Sequence, residues 1–148
     1  LSYETSQYEE FIKKIGLVPN HNFCLGFRYP SKIIDWIKMP IIDALIYKVD
    51  LLIFTENEMI VKRIGSIFST DGLDDNNIYK DYFRIKKSDI KSFSIEKRTT
   101  ISPQISYWLK IKISNRKRSL IFLIFENTTI PSSNIQFLIK SNFCGLRS

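Results

Sequence analysis

Between Arg84 and Arg118 the sequence carries eleven Lys and Arg residues against two acidic ones, a surplus of nine. The rest of the chain holds eleven basic and thirteen acidic residues, so the net charge of +7 over 148 residues originates in this one stretch. Ten of the eleven in this stretch are the candidate anion-binding residues: Lys86, Lys87, Lys91, Lys97, Arg98, Lys110 and Lys112, with Arg116, Lys117 and Arg118 forming a run of their own. Grouped on one surface, such side chains attract anions from a distance and lose their hold as salt screens them. Dispersed, they are an ordinary solvated face. Trp108 alternates with Lys110 and Lys112. A tryptophan in that setting stacks on a base or sits at a lipid interface; the competing reading packs it under the loop at 99–103.

A second group of interest is apolar. Ile33 to Tyr47 contains Trp36, Ile37 and Met39 among isoleucines, broken by Asp35, Lys38, Pro40 and Asp43. This segment reads either as an apolar contact for a membrane surface or partner, or as a lid over one end of the domain. With those charges and Pro40 it falls short of the about 20 apolar residues that span a bilayer.

Catalysis and metal binding find little support. The chain has one histidine, His21, and two cysteines, Cys24 and Cys144, far apart in sequence. No Gly-rich phosphate loop, nucleophile elbow or kinase signature occurs. Asp71, Asp74 and Asp75 surround Gly72 but lack the ligand spacing and closing Glu of a calcium loop. No cofactor, no metal and no enzymatic activity are therefore expected. The cysteines read as two buried thiols in a reducing compartment, with a disulfide open if the termini meet. That reading places the protein in the cytoplasm, with or without peripheral contact with a membrane. The chain begins at Leu1 without a methionine, as a trimmed or processed product would.

The elements that must position these residues follow from periodicity. Tyr8, Phe11, Ile12 and Ile15 form a helical stripe that Gly16 ends. Phe23 to Tyr29 reads as a strand with Phe23, Leu25, Phe27 and Tyr29 on one face. Val49–Thr55 and Met59–Ile64 form a hairpin across Glu56-Asn57-Glu58. Ser69 to Asn77 is polar and turn-forming, the segment expected to be most mobile. Strands follow at Tyr82–Lys86, Ile90–Arg98, Ile105–Ser114 and Leu120–Phe125. In the third of these, Ile105, Tyr107, Leu109, Ile111 and Ile113 share one face. Pro131 to Asn134 starts a final helix bearing Ile135, Leu138, Ile139 and Phe143, with Gly145 as its stop. A helix, about seven antiparallel strands and a last helix make a mainly β, α+β chain, built as a barrel or a two-layer sandwich.

That order resembles the pleckstrin-homology-like superfamily, including its bacterial PH and GRAM-like branches. Three pieces carry the likeness: the hairpin Leu51 to Val61, the strand–corner–strand run Phe83 to Ile95 through Ser88-Asp89-Ile90, and an amphipathic helix after two long strands. The resemblance covers about residues 23–146, leaving 1–22 as an added helix and turn before a PH-like domain at 23–148. It implies two near-orthogonal sheets forming a barrel whose open end the last helix plugs. Many members hold phosphoinositide headgroups with closely spaced Lys and Arg after the first strand. Here Lys32, Lys38 and Lys48 are scattered among isoleucines, and the next turn is acidic. The expected function is a non-enzymatic binding module whose basic face meets an anionic membrane surface or a protein partner. The alternatives are a regulatory or immunity-type interaction factor and, less favoured, a nucleic-acid-binding domain.

Overall fold

A computed structural model describes residues 3–29, 48–66, 72–98 and 104–147. Its elements are α1 (Thr5–Lys14), β1 (Phe23–Tyr29), β2 (Lys48–Phe54), β3 (Glu58–Ser66), β4 (Tyr82–Lys86), β5 (Ile90–Lys97), β6 (Ser106–Ile113), β7 (Leu120–Phe125) and α2 (Ser132–Lys140). Among the described residues the protein is mainly β with two helices, as its periodicity leads one to expect. All seven strands join one antiparallel sheet in the order β4-β3-β2-β1-β7-β6-β5. The edges are β4 and β5, consecutive in sequence and linked by the single 3₁₀ turn Lys87–Asp89. No ladder joins them among the described residues, so the sheet curls without closing, and the expected barrel is an open one.

Side-chain alternation divides the sheet into an inner and an outer face. Cys24, Leu52, Phe54, Met59, Val61, Leu109, Ile111 and Phe122 point inward and form the main core with Ile135 and Leu138 of α2. Phe93 and Ile95 of β5 pack against that core, on the inward parity expected of them. Gly26 fits here because a Cβ would lie 2.7 Å from Leu52 Cδ1 and 3.0 Å from Phe122 Cδ1.

The last turn departs from its expected form. The helix stops at Lys140, and Asn142, Phe143 and Cys144 each take φ between 52° and 59°, ahead of Gly145 at 87°. Non-glycine residues avoid this region because Cβ crowds the carbonyl oxygen. The reversal drives Phe143 into the core, 5.0 Å from the Phe54 ring and 4.9 Å from Phe93. So Phe143 is a plug beyond the helix rather than part of its stripe.

The outer face of β1–β3 is apolar too. Phe23, Leu25, Leu51, Ile53, Ile60 and Ile64 meet Tyr8, Phe11 and Ile12 of α1. Gln7 caps the helix by accepting the Glu4 N–H at 2.8 Å, and Gly16 at φ 87° turns the chain off it. Lys62 shares this face, almost fully buried, its ammonium 5.9 Å from the Phe11 ring. It donates to the carbonyl oxygens of Asn77, at 3.0 Å, and Lys80. The Tyr3 hydroxyl adds a second tie, donating to Asp74 Oδ1 at 3.1 Å and accepting the Leu73 N–H at 3.0 Å. The described part of the polar loop, residues 72–77, and the turn after it to Lys80 are thereby held against α1 and β3.

Candidate functional site

The predicted cations fall outside the part of the sheet that α1 covers, among the described residues. Lys110 and Lys112 project from β6 opposite Ser94 and Ser92 of β5, and both are exposed. Lys91 is the extra residue where the β5–β6 register shifts between Ile90 and Ser92, a bulge that turns its side chain out of the alternation. Lys86 and Lys87 are exposed where β4 passes into the 3₁₀ turn, and that turn is tied to β6 by Ser114 N–H donating to Asp89 O at 2.9 Å. Arg116, Lys117 and Arg118 are exposed in the β6–β7 turn directly after it. Five of the ten cations thus lie on β6 and the turn after it, and three more, Lys86, Lys87 and Lys91, lie at the β4–β5 corner that Ser114 ties to the end of β6. The other two lie at the far end of β5, where Lys97 pairs with Tyr107.

The described residues contain three ion pairs, Lys14–Glu10, Arg63–Asp50 and Arg84–Glu58, and none uses a predicted cation. Arg98 is the partial exception. It is half-buried with its guanidinium 5.5 Å from the centre of the Trp108 ring. Trp108 in turn stands edge-on to Tyr29 at 5.1 Å, beside an outer-face cluster of Tyr29, Ile121 and Leu123. Its ring is therefore packed and half-buried, with Glu96 opposite on β5. Trp36, Ile37 and Met39 lie outside the described residues.

The inner face holds a second charged group that sequence reasoning missed. At the end of the sheet away from Phe143, Asp50 of β2 sits beside Gly26 of β1 and Arg63 of β3. Asp50 is fully buried, and its Oδ1 accepts from Arg63 Nε at 2.6 Å. Its Oδ2 is buried without a hydrogen-bond partner among the described residues. Burial pushes the Asp50 carboxyl above its ordinary range, and Arg63 and Arg28 counteract this only in part. Arg28 of β1 is half-buried, 6.0 Å from the Phe83 ring, and burial lowers its pKa against the pull of Asp50. These groups line a cavity of about 320 Å³ with Val61, Asp81, Tyr82 and Phe83. One signal for it was in the sequence: Asp50 is a lone acid inside the apolar run Val49 to Phe54, and a buried carboxylate demands a cationic partner.

Elsewhere the polar side chains hold the fold together. His21, at φ 55°, contacts Asn134 Oδ1 through Nδ1 at 3.1 Å, while Asn134 Nδ2 donates to Phe23 O. Cys24 and Cys144 are free thiols, and burial pushes both upward in pKa, which suppresses thiolate chemistry. The described residues contain no cluster of His, Cys, Asp and Glu suited to a metal ion, and no helix long and apolar enough to cross a membrane. Compared with known proteins, the chain matches no family model and no curated relative.

Proposed function

We propose that this protein is a non-enzymatic, pleckstrin-homology-like binding module that docks its β5–β6 face on an anionic membrane surface. One observation carries the reading: eight exposed cations lie on β6, the β6–β7 turn and the adjoining β4–β5 corner, with no ion pair among the described residues to neutralise them. Lysines left unpaired beside one another repel, so the arrangement favours a counter-surface that supplies negative charge. An anionic bilayer supplies it continuously, at about 1 kcal/mol per Lys or Arg near the surface. The order of helix, seven antiparallel strands and final helix among the described residues supports the family reading, as does the packing of α2 on β1.

Flotation with vesicles tests this. Vesicles containing phosphatidylserine should carry the protein upward at low salt, and phosphatidylcholine vesicles should not. Binding should fade as salt rises through the physiological range. Equal failure with both vesicle types would sink the membrane reading and leave a protein partner for the same face.

A further inference from the structure

The cavity around Asp50 makes a different demand from the open basic face. A fully buried carboxylate oxygen without a donor is costly, and native interiors rarely leave one so. Asp50 Oδ2 is such an oxygen, while Oδ1 of the same carboxylate is taken by Arg63. Beside it, the Arg28 guanidinium forms no hydrogen bond among the described residues, and the Arg63 guanidinium uses only Nε on Asp50, so donors remain on both. Among the described residues, the cavity wall therefore holds an acceptor without a donor next to guanidinium donors without acceptors. At about 320 Å³ it reaches the lower end of the range, about 300–1,000 Å³, that holds small molecules.

A bare anion satisfies half of this arrangement, leaving Oδ2 orphaned and setting a second negative charge beside it. A bare cation satisfies the other half and meets two guanidiniums. A molecule carrying an ammonium within a few bonds of an anionic group satisfies both. The described charges lining the cavity, Arg28 and Arg63 against Asp50 and Asp81, also balance, as a zwitterionic ligand requires. Phe83 and Val61 supply an apolar wall for the remainder of the molecule.

We infer that the Arg28–Asp50–Arg63 cavity binds a small zwitterion, its carboxylate or phosphate on the two guanidiniums and its ammonium on Asp50 Oδ2. Two sources share that chemistry, the aminocarboxylates and the aminoalkyl phosphates found free or as lipid headgroups. This inference is independent of the β5–β6 face and survives its failure.

The test is a titration of the whole chain, followed by backbone and arginine side-chain NMR shifts, with two matched pairs. Leucine is set against isocaproate, which lacks the amine, and O-phosphoethanolamine against inorganic phosphate. In at least one pair the amine-bearing member should bind ten-fold tighter or more, with shifts centred on Gly26, Arg28 and Arg63. Which pair responds identifies the source. Asp50→Asn should bring that ratio close to one. Should Asp50→Asn fail to fold, N-acetyl-leucine and N-acetyl-phosphoethanolamine, with the ammonium blocked, must lose the preference on the unaltered protein. A ratio near one, tighter binding by the amine-free member, a preference that survives Asp50→Asn or acetylation, or no shift with any of the four probes at tens of millimolar would each overturn the inference.

Discussion

The β1–β3 and β5–β6 parts of the same sheet have opposite outer faces. Over β1–β3, α1 buries Tyr8, Phe11 and Ile12 against six apolar strand residues, and the one lysine present, Lys62, is spent on two loop carbonyls. On β5–β6 the corresponding positions are Ser92, Ser94, Lys110 and Lys112, exposed and uncovered by either described helix. Two groups of strands with the same inward core thus differ outside. A face that stability requires is apolar and occupied; a face free of that requirement can collect unpaired charge. Substitutions of equal size should accordingly do unequal damage on the two sides, and that contrast can be broken experimentally.

The largest effect belongs to the covered half. Phe11 is fully buried, with its ring 6.1 Å from Tyr82 in an edge-on contact and under the Lys62 ammonium. Phe11→Ala should lower unfolding stability by about 3–5 kcal/mol, read from denaturant melts. A loss under about 1 kcal/mol would mean that α1 is dispensable to the sheet, erasing the contrast. Next comes Gly72, whose N–H donates to Ile64 O at 3.1 Å. A Cβ there would stand 2.3 Å from Ile64 Cα and 2.6 Å from Arg63 O, both backbone atoms that cannot swing aside. Gly72→Ala should cost about 1–3 kcal/mol by forcing the loop off β3. It should also speed amide exchange at Leu73, whose N–H is tied to Tyr3.

How much of this was readable beforehand differs between the same two regions. Where one face is solvated, period-two alternation settles the matter: Phe93 and Ile95 inward, Lys110 and Lys112 outward, as the structure places them. In β1 alternation gave the row Phe23, Leu25, Phe27 and Tyr29 without saying which side it faces. That row is the outer one, and the inner row is Cys24, Gly26 and Arg28. A strand buried on both faces has no polar side to mark its parity, so its inward charge at Arg28 reads as an exposed one. The same blindness hid Asp50 and Arg63, since register pairs them across β2 and β3 and one sequence records no register. Barrel closure was equally illegible. It depends on whether β4 and β5 meet, which the curvature of the whole sheet decides.

Asp50 gives the intermediate effect and sharpens the comparison between inner and outer charge. Its folded carboxyl titrates above the ordinary range, so the native state holds a proton that the unfolded state has already lost. In the window between those two values the unfolded chain binds fewer protons, and stability falls as pH rises. The slope for one such group is at most about 1.4 kcal/mol per pH unit. Asp50→Asn should remove it, so its stability relative to the unaltered protein should improve from about pH 4 towards neutrality. A difference that stays flat over that range would place Asp50 at its ordinary pKa.

The smallest effect on stability, and the most informative about function, belongs to Lys112. It is exposed on β6, opposite Ser92, and makes no ion pair among the described residues. Lys112→Ala should therefore change stability by less than about 0.5 kcal/mol. Vesicle binding should behave otherwise. Loss of about 1 kcal/mol of surface attraction is close to a five-fold weaker partition onto phosphatidylserine vesicles, and Lys112→Arg should restore it because charge alone is required. Lys14→Ala is the matched control, since Lys14 lies on α1 across the molecule and is engaged with Glu10 at 3.6 Å. Equal weakening by both substitutions would show that net charge rather than placement governs binding. The unpaired face of β6 would then be no different from any other lysine-bearing surface of the protein.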